Sequence, residues 1–508
     1  MIHSVGIRVL LLIALTARPL VPQDRQGETA APNEERVLGS MHGISSITLL
    51  EHVKELTSDK YQGRLTGTPG YDAAARWASG LLARSAFKPL GEDGSFLQHF
   101  PNPYTLVLPG AELILRIPAG RSAIVSKPYL YETDYFPGST SDSGAVTAEV
   151  VYVGYGVSAP ELNFDEYAGV DTQDRIVLVE PEVPVSPDKD PIEFMKWRAY
   201  SFHDYKVRNA KKHGAAGMVY AYHIANPNCV FVPNLLLTYV GASVVDDLFL
   251  GSGRNHNDIT QSIKTGLKPA SFAMGKVLTM KNRCEHHPEG TGANVIAWME
   301  GADPVLKREA VIIGAHLDHL GLNHELMPGA NDNASGVSVA LEVAAAIARA
   351  GIPLRRSVLV ILFGAEEQGV KGSEYYISHP VFPNGSVKGF INLESVGRGE
   401  KIEGGAAKNY PGLWEYFEHN NRKYVHRPLT AGFSANIARP RQDAAHFLWA
   451  GIPTISFGTS GAQDLPYATY HTTKDRWETL TPEIMADLAR LVFLSVVDLA
   501  EPADAPGR

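Results

Sequence analysis

Histidine and carboxylate side chains occur at five separate places in the second half of this 508-residue chain. They are His316, Asp332, the adjacent pair Glu366-Glu367, Glu394 and His471. Two imidazoles and three carboxylates form the ligand set that a pair of zinc ions requires, with one carboxylate bridging the metals. Zinc lowers the pKa of a bound water molecule to about 7 and so supplies hydroxide at neutral pH. These residue types therefore indicate a hydrolytic site with two metal ions.

Local sequence suggests roles within this set. Asp332 lies in the glycine-flanked loop 329–336, where a short side chain is held rigidly, so we expect it to bridge the metals. Adjacent glutamates point in different directions, so one of Glu366 and Glu367 can bind metal while the other moves the proton from water to the leaving amine. Asp318 lies two residues after the first histidine and is suited to accept the proton of that ring's distal nitrogen.

Each of these residues has a simpler explanation when taken alone. His316 could be a packed histidine, Asp332 a cap of the following helix, and Glu366-Glu367 a charged first turn. Together these explanations require several coincidences, because the residues all follow the same kind of element. We therefore prefer the metal site.

Apolar runs precede most of these residues and predict strands at 310–315, 357–363, 389–393 and 453–457. An alanine-rich stretch, 334–350, predicts a helix that ends at Gly351. Continuous apolar strands that alternate with helices predict an α/β fold with a mostly parallel sheet flanked by helices. Ligand sites in such sheets lie at the carboxyl ends of the strands, which is where these side chains fall.

The chain is longer than a single hydrophobic core usually supports, and its pattern of predicted helices and strands changes twice along the sequence. Residues 45–119, whose pattern is helical from 47 to 87, predict an N-terminal part of the main domain. Residues 120–285 contain short β-rich runs and one helix, which predict an inserted α+β module. Residues 286–500 carry the candidate site, and residues 501–508 form a tail.

The N-terminus has the features of a secretory signal peptide. Arg8 precedes the apolar run 9–15, which small residues follow, and we place the signal at 1–22 and a flexible polar leader at 23–44. The run is too short to span a membrane, so we expect an exported protein, periplasmic or secreted, without a stable membrane span.

Composition excludes some partners and metal sites. The net charge is −9 and no lysine- or arginine-rich tract occurs, which argues against a nucleic-acid partner. The only cysteines, Cys229 and Cys284, cannot make a four-thiolate zinc site, and a disulfide or two free thiols fit them equally well. The sequence does not indicate an oligomeric state.

The chain resembles the M28 family of co-catalytic zinc peptidases, in the branch that carries a protease-associated (PA) domain insert. The motifs that carry the resemblance are His316-Leu317-Asp318, Pro328-Gly329-Ala330-Asn331-Asp332-Asn333-Ala334-Ser335-Gly336, Ala365-Glu366-Glu367-Gln368-Gly369 and Tyr470-His471-Thr472. The segments Gly154-Tyr155-Gly156 and Asp165-Glu166-Tyr167-Ala168-Gly169 are similar to the opening of a PA domain. The resemblance covers about residue 47 to nearly the C-terminus.

The resemblance implies a role for each residue of the set. One zinc ion takes His316 and Glu394, the other takes Glu367 and His471, and Asp332 bridges them. Glu366 matches the family's general base. Tyr470 matches a position that can donate a hydrogen bond to the carbonyl oxygen of the scissile bond, although a packed aromatic residue fits the same position.

Two positions depart from the family pattern. Glu394 stands where the family usually has aspartate; glutamate reaches one methylene further and can still bind metal, with a weaker or distorted first site. Ala444 follows Asp443 where the family often has histidine, which we interpret as a supporting residue.

The resemblance implies peptide substrates and favours an aminopeptidase. A carboxypeptidase or dipeptidase on the same fold is the first alternative, and a mono-zinc glutaminyl cyclase is a weaker one. The M20 peptidases have a similar ligand order, but their extra domain comes later in the chain. From a different functional class, an inactive binding scaffold would be expected to have lost the base or the ligands, and these are intact in the sequence.

Overall fold

The computed structural model describes residues 26–119, 123–227, 230–434, 440–461 and 469–501. The predicted signal peptide at 1–22 lies outside these residues, as does all but the first residue of the predicted tail. Cys229 also lies outside them, so both alternatives for the two cysteines stay open.

Nine strands among the described residues form the larger sheet. In spatial order they are Lys88–Pro89, Thr291–Met299, Ser357–Phe363, Ala310–His316, Val387–Leu393, Thr454–Ser460, Lys401–Gly405 and Leu429–Ala431, with Leu97–Pro101 also paired to Thr291–Met299. The four central strands, Ser357–Phe363 to Thr454–Ser460, are parallel, and antiparallel strands flank them. The predicted α/β class is confirmed, and the sheet is mixed because Thr291–Met299 and Lys401–Gly405 run antiparallel to the central strands beside them.

Some of the helices pack on the larger sheet, and others belong to the inserted segment. They are Gln26–His42, Ser46–Leu56, Pro69–Arg84, Pro191–Trp197, His203–Lys212, Ala242–Phe249, His256–Gly266, Gly336–Ala350, Lys371–Ser378, Pro411–Asn420, Ala444–Trp449 and Pro482–Ala500. The alanine-rich helix Gly336–Ala350 ends at Gly351, whose positive φ of 57° suits the left-handed cap that glycine adopts easily. It packs on Pro482–Ala500, and both helices share one apolar core with the central strands.

The strands Ala310–His316 and Ser357–Phe363 are buried along their whole length, as their uninterrupted apolar sequences require. Ser357–Phe363 and Ala310–His316 run in register, so Phe363 lies opposite His316 at the carboxyl end. This register places the residues that follow the two strands at the same edge of the sheet.

A second sheet has eight strands, of which seven lie within the segment 120–285 that the sequence predicts to be inserted, while Glu112–Ala119 lies just before the predicted boundary. Its strands are Ala123–Pro128, Glu112–Ala119, Phe272–Asn282, Gly144–Tyr152, Ile176–Val179, Gly217–Tyr220, Leu236–Val240 and Tyr135–Pro137. We call this sheet with its helices the inserted module. Two smaller sheets consist of Cys284–His287, Tyr104–Val107, Leu322–Asn323 and Glu325–Leu326, and of Ser158–Ala159 and Phe164–Asp165.

The inserted module packs against the loops at the carboxyl edge of the larger sheet. Leu320 and Met327, which follow the strand Ala310–His316, belong to the same apolar core as one face of the inserted sheet. The hydroxyl of Tyr131 donates to the carbonyl of Asn323, and the amide of Asn323 donates to Pro137 at 3.3 Å. The two sheets are therefore joined beside the candidate site.

The segment predicted to be a flexible leader differs from that expectation. Residues Gln26–His42 form an α-helix that packs on the helices Gly336–Ala350 and Pro482–Ala500. Met41 is buried, and the hydroxyl of Ser40 donates to the carbonyl of Ala346 at 2.6 Å. The polar composition of the segment hid this helix; among its described side chains, 33–42, those of Val37, Leu38 and Met41 pack in the core.

Within the part of the chain that the structure describes, helices with the length and hydrophobicity needed to cross a membrane do not occur.

Candidate metal centre and active site

The parallel strands bring three groups of candidate residues to one edge of the larger sheet. His316 ends the strand Ala310–His316, Glu366-Glu367 follow Ser357–Phe363, and Glu394 follows Val387–Leu393. Asp332 lies in the single helical turn Ala330–Ser335 that leads into Gly336–Ala350. The carboxyl ends of adjacent parallel strands meet, so residues separated by up to 78 positions become neighbours.

The carboxylate of Asp332 lies between two imidazoles. Its Oδ1 is 3.2 Å from Nε2 of His316, and its Oδ2 is 3.3 Å from Nε2 of His471. Each imidazole faces a further carboxylate: His316 Nε2 lies 3.2 Å from Glu394 Oε1, and His471 Nε2 lies 2.9 Å from Glu367 Oε2. The arrangement therefore has two ends, one formed by His316 and Glu394 and the other by His471 and Glu367, and both ends share Asp332.

These distances fit metal ions. Two ligand atoms bound tetrahedrally to one zinc, each about 2.0–2.1 Å from it, are separated by about 3.3 Å. Nε2 of His471 and Oε2 of Glu394 are buried and make no hydrogen bond within the described residues. Groups formed by His316, Asp332 and Glu394, and by His316 with Glu366 and Glu367, have ligand atoms within 4.8 Å of one another. The residues present therefore fit a pair of zinc ions.

Glu366 lies beside these atoms. Burial raises the pKa of Glu366 well above its usual value, and the charges of Glu394 and Glu367 act in the same direction against that of His316. A carboxylate with a raised pKa is suited to take up and return a proton.

Asp318 supports the pair Glu366-Glu367 through their backbone. Its two carboxylate oxygens accept hydrogen bonds from the N–H groups of Glu366 and Glu367 at 3.2 and 3.3 Å. Nδ1 of His316 lies 3.1 Å from the backbone carbonyl of Asp318 and 3.6 Å from its carboxylate. The residue that we expected to orient His316 does so at closest range through its carbonyl, and its side chain fixes the neighbouring loop.

Tyr470 immediately precedes His471, and their rings stack with centroids 3.8 Å apart. The residue is 37% exposed and lies at the edge of the site, while burial raises the pKa of its hydroxyl well above the usual value. The structure thus places Tyr470 beside the candidate metal ligands.

The sequence reasoning missed residues that hold the site together. His319, fully buried, has Nδ1 2.8 Å from Oε1 of Glu367. Asp475 accepts hydrogen bonds from the backbone N–H groups of Asn331 and Asp332 at 2.9 and 3.0 Å. Their positions, three and four residues from His316 and His471, were the available signal.

Arg64 is the third such residue and is completely buried. Its guanidinium donates to the carbonyls of Leu317, Leu56, Pro328 and Gly329 at 2.7–3.0 Å, so it ties the N-terminal helices to two loops of the site. Burial lowers its pKa to about 10, which leaves it charged at neutral pH. The loop 63–70, which carries Arg64, is rich in glycine and proline, but the sequence indicated no function for it.

Asp443 lies beneath the site and is fully buried. Burial raises the pKa of Asp443 to about 8, with His316 opposing and Glu394 reinforcing the rise. Asp443 precedes Ala444, which stands where the family pattern often has histidine. The chain thus keeps the carboxylate and has alanine in place of the histidine.

Comparison with known proteins agrees with this geometry. Residues 294–496 match the model of Peptidase family M28. Leupeptin-inactivating enzyme 1 of Streptomyces exfoliatus is 30% identical over 169 residues, which are 32% of this chain and 35% of that protein. Aminopeptidase YwaD of Bacillus subtilis (strain 168) is 26% identical over 315 residues, 59% of this chain and 61% of that protein. The chain thus spans about a third to three fifths of the curated relatives it matches.

Solved structures with similar coordinates cover nearly the whole chain. An aminopeptidase from Aneurinibacillus sp. strain AM-1 superposes with a TM-score of 0.62 at 21% identity, covering 91% of this chain and 96% of that chain. BSAP, a zinc aminopeptidase from Bacillus subtilis, superposes with a TM-score of 0.58 at 18% identity, covering 91% and 97%. At these identities the likeness establishes the fold alone.

Proposed function

Because residues 294–496 of this chain belong to peptidase family M28, we propose that the protein is a zinc-dependent aminopeptidase that removes residues from the free N-terminus of peptides. The observation that carries the proposal is the shared Asp332, with one oxygen directed to His316 and the other to His471. Relatives of this chain bear the name aminopeptidase, which agrees with the proposal.

The proposed centre holds two zinc ions. His316 and Glu394 would bind one ion, Glu367 and His471 the other, and Asp332 both. Zinc at these positions would activate a water molecule and polarise the carbonyl of the scissile bond.

The protein's own groups then move the proton and orient the substrate. Glu366 takes a proton from the attacking water and returns it to the leaving amine, and its raised pKa suits both steps. Asp318 holds the backbone of Glu366 and Glu367 so that one side chain faces the ligands and the other the water. Tyr470, at the accessible edge, is proposed to donate its hydroxyl hydrogen to the carbonyl oxygen.

Carboxylates outnumber cations around the centre in the metal-free protein. They are Asp318, Asp332, Glu366, Glu367, Glu394, Asp443 and Asp475. The imidazoles and the buried Arg64 face them. Two zinc ions would offset this excess of carboxylates, so the preference for a free amino terminus is proposed from the similarity to aminopeptidases.

Three further expectations from the sequence remain proposals. The inserted module is proposed to be a PA domain, with boundaries at 120–285 inside a peptidase domain formed by 45–119 and 286–500. Residues 1–22 are proposed to direct export to the periplasm or the medium, on the basis of Arg8 and the apolar run 9–15.

The test is a peptide library with free, acetylated and amidated termini, assayed with zinc-loaded protein. We expect cleavage that requires a free N-terminus and is indifferent to amidation. Cleavage that requires a free C-terminus would favour the carboxypeptidase alternative, and cyclisation of N-terminal glutamine would favour the cyclase.

The residue-level test is Glu366→Gln, an isosteric change that removes the proton carrier. Turnover should fall by about 10²–10⁴-fold while zinc content is kept. The matched control is Glu374→Gln, in the exposed first turn of the helix Lys371–Ser378, which should keep full activity. Undiminished turnover in Glu366→Gln would refute the assigned base, and zinc binding without any hydrolysis in the wild type would favour the scaffold.

A further inference from the structure

We propose that the inserted module completes the metal centre, with the backbone carbonyl of Ala225 as the group that positions His471. Nδ1 of His471 lies 2.7 Å from the Ala225 carbonyl oxygen. Both residues are buried, with 5% and 0% of their surfaces exposed. Ala225 follows the strand Gly217–Tyr220 of the inserted sheet. The inference rests on the proposed zinc-binding role of His471.

The contact determines which ring nitrogen is available. A carbonyl oxygen can only accept a hydrogen bond, so Nδ1 of His471 must carry the hydrogen. Nε2, which faces Asp332 and Glu367 at 3.3 and 2.9 Å, is then the nitrogen that presents its lone pair to a metal ion. Such partners of a ligating histidine fix its tautomer and the direction of its ring.

The inserted module holds both sides of this contact. The hydroxyl of Ser139 donates to the carbonyl of Asn226 at 2.8 Å and so anchors the residue next to Ala225. On the other side, Oε2 of Glu132 accepts the hydroxyl hydrogen of Thr473 at 2.6 Å, and its Oε1 lies 3.4 Å from Nζ of Lys474. Glu132 thereby ties the segment that carries His471 to the module.

The other imidazole is oriented differently. Nδ1 of His316 contacts the carbonyl of Asp318, two residues away in its own segment of the larger sheet. The ring of His316 is therefore oriented by a residue of its own segment in the larger sheet. The ring of His471 is oriented by a residue of the inserted module. A displacement of the module would weaken metal binding at the His471 end first.

The experiment compares the full-length wild type with the double variant Glu132→Ala/Ser139→Ala, which removes both acceptor and donor of these anchoring hydrogen bonds. The matched control is Glu149→Ala, whose carboxylate pairs with Arg175 at 2.7 Å inside the module and does not reach the larger sheet. Solvent exchange of the His471 Nδ1 proton is measured by NMR in the metal-free protein, and zinc binding is measured by calorimetry. The double variant should show faster exchange and about 10-fold weaker binding of one of two zinc ions. The control should match the wild type.

The inference would be overturned if the folded double variant showed an unchanged exchange rate of the His471 Nδ1 proton or an unchanged zinc affinity. Equal weakening of zinc binding at the His316 end and the His471 end would also overturn it. If the double variant does not fold, Ser139→Ala alone is measured by the same criteria. A wild type that binds zinc at neither end would defeat the proposed function instead, and a protected Nδ1 proton in that metal-free protein would still show the Ala225 contact.

Discussion

Buried carboxylates occur in both sheets of this protein, and their surroundings differ. In the inserted module, Glu166 is fully buried and its Oε2 accepts the N–H of Val157 at 3.1 Å. A Cβ at Gly154 would collide with its other oxygen, so the backbone closes around it. Burial raises the pKa of Glu166 to about 8, and backbone N–H groups and the charge of the buried Lys206 oppose that rise.

At the edge of the larger sheet, the carboxylates instead face imidazoles and one another across gaps of 2.9–3.3 Å. The inserted module supplies its own compensating cation, whereas at the site we propose that bound metal ions supply part of the compensation. Burial of charge alone thus does not identify a functional site; several buried carboxylates and imidazoles placed at ligand distances are the stronger sign.

The largest effect on stability is expected for Lys206→Met, which removes the cation of the inserted module. The free energy of unfolding should fall by about 3 kcal/mol, because the buried Tyr155 carbonyl loses the ammonium that donates to it and Glu166 loses a nearby cation that lowers its pKa. Denaturant titration measures this change. Addition of Glu166→Gln should restore part of the loss, and a double variant as unstable as Lys206→Met would contradict the coupling.

A smaller effect concerns His52, a buried histidine outside both clusters whose ring lies 5.6 Å from that of Trp77. Burial, followed by the charge of Arg84, lowers the pKa of His52 to about 4. Between pH 6.5 and 4 the unfolded chain binds a proton that the folded chain does not, so stability falls as pH decreases. The contribution is about 2 kcal/mol at pH 5.

His52→Gln should remove this part of the pH dependence, measured as the difference in unfolding free energy between pH 7 and pH 5. The exposed His42 offers the control His42→Gln, which should keep the wild-type difference. Equal pH dependence in wild type and His52→Gln would show that other groups cause it.

The smallest effect on stability is expected for Glu394→Gln. This effect distinguishes the carboxylates of the candidate site from the buried pair Glu166 and Lys206 of the inserted module. Burial raises the pKa of Glu394, with His316 opposing, so the metal-free protein should gain about 1 kcal/mol when this charge is removed. The same variant should bind one zinc ion in place of two, measured by elemental analysis. Unchanged zinc content would remove Glu394 from the ligands, and a loss of metal-free stability like that of Lys206→Met would make the two clusters equivalent.

Most of the candidate site was predictable because its residues follow strands with strong apolar signatures. The run 357–363 is a strand with those bounds, and Glu366-Glu367 follow it as expected. His319, Asp475 and Arg64 escaped prediction because they act on neighbouring residues and loop carbonyls; closeness in sequence to His316 and His471 was a weak signal for the first two, and Arg64 had none. The helix Gln26–His42 escaped because its stability comes from packing on two helices distant in sequence.

The sequence by itself determined the order of strands and helices and the chemical types of the candidate ligands, because apolar periodicity and residue chemistry are local properties. Only the tertiary structure decided which atoms face each other: that Asp332 presents separate oxygens to His316 and His471, and that a carbonyl of the inserted module reaches Nδ1 of His471. Such contacts depend on how two sheets pack, and packing joins residues 246 positions apart that no local pattern connects.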